Sequence, residues 1–341
     1  MNHFSSMSIS AVTALLLVAT AGFTETDESA TDGDSGTHRV WDMVPQDTFT
    51  GLVEGPVCDA EGTLFAMGYG ELTDGSSASG QFVALLTMLG LWEGSFSLGR
   101  VSADGTHGTF VDVPAGGMAN GLRFDRQGQL FVADVTGHNV LRLDPISKAI
   151  SVFAHEPRMN QPNDLAITDA DVLFASDPNW SEGTGQLWRI DPDGTVHLME
   201  TEMGTTNGIE VGPDGGTLYV GESAQRWIWQ YDLSADGQLS NKRLLITFED
   251  FGLDGMRCDE MGNLYVTRYG KGTVAIISPG GELLDEITIK GKTPTNIAFG
   301  GTDGRTCYVT VSDRGCIEAF RAPHAGRSWA MMHTDRDRDN R

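Results

Sequence analysis

Apolar and polar positions alternate in short runs throughout the chain, and turn residues separate the runs. The stretch around residue 120 shows the pattern. Leu122–Asp125 alternates, Arg126-Gln-Gly-Gln turns, and Leu130–Asp134 forms a second run. Thr136-Gly-His makes another turn, and further runs follow at Val140–Asp144 and Ile150–His155. A period of two with glycine and Asp-Pro punctuation predicts β-strands and argues against helices. One such unit holds four strands.

The unit repeats. Ala119-Asn-Gly-Leu-Arg-Phe, followed by Leu130-Phe-Val-Ala, returns as Pro162-Asn-Asp-Leu-Ala-Ile with Leu173-Phe-Ala-Ser. It returns again as Thr206-Asn-Gly-Ile with Leu218-Tyr-Val, and as Leu253-Asp-Gly-Met with Leu264-Tyr-Val. Val53-Glu-Gly-Pro is the first copy and Thr295-Asn-Ile-Ala the last. The anchors of the six copies are Glu54, Asn120, Asn163, Asn207, Asp254 and Asn296. Their period, in the mid-forties, suits one four-stranded propeller blade. Six blades closing into a ring leave no exposed sheet edge. The fold class is therefore all-β, a six-bladed β-propeller. Residues 38–50 are expected to supply the outer strand of the last blade and close the ring.

The first interval is about twenty residues longer than the others, against a blade period of about 40–45. The excess falls between Gly68 and Gly99 and holds the apolar stretch Phe82–Trp92. It reads either as an apolar lid over the channel mouth or as a longer strand pair packed on the blade.

Composition sets the surroundings. Of 341 residues 40% are hydrophobic, 21% are charged and 43 are glycine, as in a many-turned globular protein. The formal net charge of −24 disfavours nucleic acid as a partner. Residues 1–23 include the apolar run Ala11–Gly22 and Ala19-Thr-Ala21, which fits a small-residue cleavage site. They are read as an export signal too short to span a bilayer, so the protein is expected to be secreted or periplasmic, and otherwise cytoplasmic. Residues 24–37 read as a disordered acidic linker, 38–327 as the propeller and 328–341 as a C-terminal tail. Cys58, Cys258, Cys307 and Cys316 form no CxxC pair and are expected to be buried thiols.

If every anchor opens an innermost strand, all six ring the central channel at one level. Their side chains offer oxygen, with no His or Cys among them, which suits a hard cation such as calcium or magnesium better than zinc, copper or iron. Four oxygens from Glu54, Asn163, Asn207 and Asp254 would leave positions for water and substrate. Asn120 and Asn296 complete the ring as channel-lining amides. With Trp180, which follows Asp177-Pro-Asn, they are the candidate substrate contacts. Trp188, Trp227 and Trp229 are expected on blade faces, and His138, His155 and His197 at the surface. No Gly-x-Ser-x-Gly elbow, P-loop or dinucleotide fingerprint is present.

Glu54-Gly-Pro, Pro162-Asn-Asp, Asn207-Gly-Ile and Asp254-Gly-Met, in this order, resemble the gluconolactonase, senescence-marker and diisopropyl-fluorophosphatase-like family over about residues 40–327. The resemblance implies that Glu54, Asn163, Asn207 and Asp254 ligate a catalytic divalent ion. Calcium is the expected one, with magnesium, manganese and zinc as alternatives. It further implies that Asp254 is general base or nucleophile and Asp164 an acid close by. The function expected is hydrolysis of a lactone or related ester by a monomer acting on a small molecule. The alternative is a non-catalytic, ligand- or protein-binding propeller with a structural ion.

Overall fold

The structure is a computed structural model and describes residues 38–69, 97–113 and 118–333. The expected export signal and acidic linker, and most of the first-blade insert, lie outside the described residues.

Six four-stranded antiparallel sheets follow one another around a ring. The first strand, β1 (Trp41–Val44), is described below with the last blade. Blade one comprises β2 (Phe49–Cys58), β3 (Leu64–Tyr69), β4 (Ser97–Val101) and β5 (His107–Asp112). Blade two comprises β6 (Ala119–Phe124), β7 (Leu130–Asp134), β8 (Asn139–Leu143) and β9 (Ile150–His155). Blade three comprises β10 (Leu165–Ile167), β11 (Leu173–Asn179), β12 (Thr184–Ile190) and β13 (Val196–Met203). Blade four comprises β14 (Thr206–Val211), β15 (Thr217–Glu222), β16 (Trp227–Leu233) and β17 (Leu239–Thr247). Blade five comprises β18 (Met256–Cys258), β19 (Leu264–Arg268), β20 (Thr273–Ile277) and β21 (Leu283–Thr288). Blade six comprises β22 (Pro294–Gly300), β23 (Thr306–Val311) and β24 (Cys316–Arg321).

The fourth strand of blade six comes from the other end of the chain. β1 pairs antiparallel with β24, with Trp41 opposite Ala319, so the N-terminal strand closes the ring as its sequence suggested.

The core is not one lump but six seams, each shared by two neighbouring blades. Leu122, Leu130 and Val132 of blade two pack on Val57, Phe65 and Met67 of blade one. Tyr308, Ile317 and Ala319 of blade six pack on Val53, Leu64 and Ala66 of blade one, across the closure. Burying one such aliphatic or aromatic side chain contributes about 1.5–3 kcal/mol, so every blade depends on both neighbours. The four cysteines are buried and free, as expected. Cys307 faces Phe320 and Cys316 faces Val311, so neighbouring strands hold them out of register.

Where the innermost strands reach the channel they become irregular. The pairing register slips between Ala119 and Leu122, between Thr206 and Ile209, and between Pro294 and Ile297. In each case two residues face one on the partner strand, which is a β-bulge, and each bulge contains an anchor. A bulge kinks the strand and re-aims its side chains. In blades three and five the ladder begins only after Asn163 and Asp254.

One expectation is corrected. The segment read as a tail from residue 328 instead folds, from Arg327 to His333, as helix α1. Met331 is buried in the seam between blades two and three, and the Trp329 ring stacks on His333 with centroids 3.9 Å apart. Seven residues are fewer than two helical turns and too few to show a period, so only tertiary packing reveals the element. No helix among the described residues is long and apolar enough to cross a membrane.

Candidate metal centre

Neighbouring anchors are tied to one another through the backbone. The N–H of Gly121 donates to the carbonyl of Asn163 at 2.8 Å, and that of Gly208 to the carbonyl of Asp254 at 3.1 Å. Gly255 N–H donates to Thr295 O at 2.7 Å, and Thr295 Oγ1 donates to Val53 O at 2.6 Å across the ring closure. The glycine after most anchors is there because the next blade occupies its side-chain space. A Cβ on Gly55, whose φ is +52°, would lie 2.0 Å from the Asn120 carbonyl oxygen. One on Gly255 would lie 2.1 Å from Cγ of Asn296.

This arrangement brings two carboxylates within electrostatic reach. Burial pushes the Glu54 carboxyl up to about 8; the Gly55 N–H pulls it back, and the charge of Asp164 pushes it further. Burial likewise drives Asp254 well above the usual carboxylate range, and the charge of Glu54 adds to this. Neither acid has a cationic partner among the described ion pairs. A buried carboxylate with no counter-charge is unfavourable, so the pair calls for a proton or a cation. Asn207 and Glu54 are almost wholly enclosed, whereas Asn163 and Asp254 are half-buried at the open end of the channel.

The remaining predicted residues fall into different places. Asn120 lies in the ring, with its carbonyl oxygen against Gly55. Asn296 is fully enclosed. Its Oδ1 accepts from Ile297 N–H at 2.9 Å, and its Nδ2 faces Asp164 Oδ2 at 3.4 Å. Trp180 sits in the turn after β11, on the face where the innermost strands begin. Trp188 is completely buried and its Nε1 donates to Asp177 Oδ2 at 2.8 Å, so it fixes blade three from within. His138, His155 and His197 hydrogen-bond to Met159 O, Asn139 and Asp191, in blade turns and outer strands.

Asp164 occupies the position that is glycine after most other anchors. It is wholly inaccessible, and its two oxygens accept from Arg123 Nη1 and Arg257 Nη1 at 3.2 Å each. Burial works against its charge, yet the two guanidinium groups outweigh burial and hold the carboxyl below its usual range. Below it, Glu210 lies 3.9 Å from Arg123, Arg257 and Arg327. Arg327, the first residue of α1, donates to Ile167 O at 2.6 Å and to Asp169 Oδ1 at 2.7 Å. A cavity of about 10 Å³, room for one water at most, is all that remains there between α1 and the ends of the innermost strands. Sequence reasoning missed this charged floor. Its signal was present: Arg123, Glu210 and Arg257 each stand three residues after an anchor. Tyr269, in the turn after β19, was missed too. Burial and the charge of Asp254 push its phenol up to about 12.

Away from the anchors, Asp42, Cys316 and Glu318 have ligand atoms within 4.8 Å of one another. Arg314 bridges Asp42 and Glu318, Lys290 reaches Asp42 at 3.1 Å, and Glu318 also accepts the Lys290 and Gly291 N–H groups. These cations and donors account for the acids without a metal. The anchor ring is the opposite case. Two neighbouring carboxylates, one enclosed and one half-buried, without ion-pair partners among the described residues, with two amides and no His or Cys, fit a hard divalent cation.

Fold and site together define a six-bladed propeller with an acid–amide cluster on its axis. The chain belongs to the SMP-30/gluconolactonase/LRE-like family, whose model matches residues 95–313. Among curated relatives it is 30% identical to gluconolactonase of Zymomonas mobilis over 59% of this chain and 64% of that one. To 6-deoxy-6-sulfogluconolactonase of Pseudomonas putida it is 34% identical over 38% of this chain and 45% of that one. The match thus spans less than two thirds of either relative's length. Among solved structures, a gluconolactonase from Xanthomonas campestris superposes with a TM-score of 0.66 at 21% identity, covering 84% of this chain and 91% of that one.

Proposed function

We propose that the chain is a divalent-metal-dependent hydrolase of a lactone or a related ester. The observation that carries this reading is the pair of neighbouring acids, Glu54 enclosed and Asp254 half-buried, neither with an ion-pair partner among the described residues. Family membership and relatives named as lactonases support the substrate class. Glu54, Asn163, Asn207 and Asp254 would hold the ion, calcium by its preference for oxygen, with magnesium, manganese and zinc as alternatives. A bound divalent ion supplies Lewis-acid polarisation of the carbonyl oxygen and favours the negative charge that develops on it.

The residues of the chain do the rest. Asp254, half-buried at the channel mouth, either accepts a proton from the attacking water or attacks the carbonyl carbon itself. Glu54 and Asn207, enclosed from below, fix the position of the cluster. Asp164, clamped by Arg123 and Arg257, stays ionised and adds negative potential from beneath.

The test is a panel of sugar lactones, aliphatic lactones, aryl esters and organophosphates, offered to chelated protein before and after calcium is restored. Turnover of a lactone that chelation abolishes and calcium returns is the expected result. Turnover indifferent to chelation would remove the metal from the reading. Calcium that stabilises the protein with no member of the panel hydrolysed would make it a binding propeller.

A further inference from the structure

Asn207 and Asn296 occupy equivalent places in two blades, and the groups around them leave their amide oxygens in different situations. An amide can present either its oxygen or its nitrogen, and the partners decide which. For Asn296 the partner is the N–H of Ile297, which can only donate, so Oδ1 is consumed there and Nδ2 is turned to Asp164. For Asn207 the partner is the hydroxyl of Ser223, 3.0 Å from Nδ2.

Ser223 lies just beyond β15, enclosed, with its backbone N–H donating to Thr205 O at 2.8 Å. Its hydroxyl proton is already committed. It is donated to the carbonyl of Leu253, an acceptor only, in the residue that immediately precedes Asp254. The same hydroxyl oxygen can therefore only accept from Asn207, so an N–H of that amide must face it. Oδ1 of Asn207 accepts from no group among the described contacts and is left for a cation.

From this geometry we infer that Ser223 is a positioning residue for the proposed metal centre: one hydroxyl fixes the polarity of the Asn207 amide and fastens the backbone that carries Asp254. The inference rests on the metal-dependent reading above and goes beyond it. It turns Nδ2 of Asn207 to Ser223 and the Asp254 carboxylate and leaves Oδ1 for the ion, whereas Oδ1 of Asn296 already accepts from Ile297 N–H. Groups that orient a metal ligand typically affect affinity by about 10–100-fold.

The experiment uses the full chain, chelated, as wild type, Ser223→Ala and Ser223→Thr, with calcium binding followed by calorimetry and unfolding followed by circular dichroism. Ser223→Ala is expected to weaken calcium binding by about tenfold or more, while the chelated form unfolds within a few degrees of wild type. Ser223→Thr, which keeps a hydroxyl, is expected to bind within about threefold of wild type, against that 10–100-fold range for a lost orienting contact. Wild-type affinity in Ser223→Ala overturns the inference alone. An equal loss in Ser223→Ala and Ser223→Thr also overturns it, because packing and not the hydroxyl would then be at work. A wild-type chain that takes up no calcium, magnesium or manganese overturns the metal-dependent reading and the inference with it.

Discussion

The central channel holds ionisable side chains at two levels, and the levels are built on contrary rules. At the lower level every buried carboxylate has cationic partners. Asp164 takes two arginines, Glu210 lies among three, and Arg327 has the Ile167 carbonyl and Asp169. At the upper level Glu54, enclosed, and Asp254, half-buried, face each other's charge with amides, N–H groups and the field of Arg257 to help them, and neither has an ion-pair partner among the described residues. A few residues along the same strands separate a level that is electrostatically complete from one that is not. The incomplete level is where strain of this kind is tolerated for function.

Removing a carboxylate should therefore act oppositely at the two levels. The largest effect is expected below. Asp164→Ala leaves Arg123 and Arg257 buried without their shared partner, which should cost about 3–5 kcal/mol, read as a lower urea midpoint. An unchanged midpoint would mean that water or Glu210 compensates, and the contrast would weaken. Next comes Asp254→Asn above, expected to keep the urea midpoint of the chelated protein while lowering turnover of a lactone by about a hundredfold or more. An active Asp254→Asn protein would remove Asp254 from the chemistry.

The smallest effect concerns pH. Glu54 stands at about 8 in the folded chain against an ordinary 4.5. A carboxyl raised in this way contributes stability that is fully present below its unfolded value and is lost as pH rises through its folded value. Chelated protein should accordingly melt at lower temperature near pH 8 than near pH 5. Saturating calcium should flatten that slope, and Glu54→Gln should reduce it to the part that the raised Asp254 carboxyl contributes. A slope as steep in Glu54→Gln as in wild type would remove Glu54 from it.

Much of this was legible in the chain, for a physical reason. The blade repeat is written twice, once in the alternation of strands such as Leu130–Asp134 and once in the anchors, so period and ring closure follow from the residues alone. The anchors announce themselves because each is a polar residue at the head of an apolar strand, and most are followed by glycine. Three features went unread. Helix α1 is too short to show a period and is held by Arg327, Met331 and Trp329 against residues far away in sequence. The arginine floor went unread because its signal lies in the spacing from the anchors and not in the strand itself, where Arg123 in the channel resembles Arg142 on an exposed strand position. The polarity of an asparagine amide depends on which way a hydroxyl on another strand spends its proton, and no spacing in the sequence encodes that.

The helix also changes what kind of vessel the propeller is. An open ring would be a tunnel, through which a small molecule could pass from one face to the other. Here Arg327, Ser328 and Met332 stopper the lower outlet against Ile167, Phe124 and Phe299. Among the described residues the channel becomes a cul-de-sac at this end, so a visitor to Asp254 would have to arrive and depart on the side away from α1.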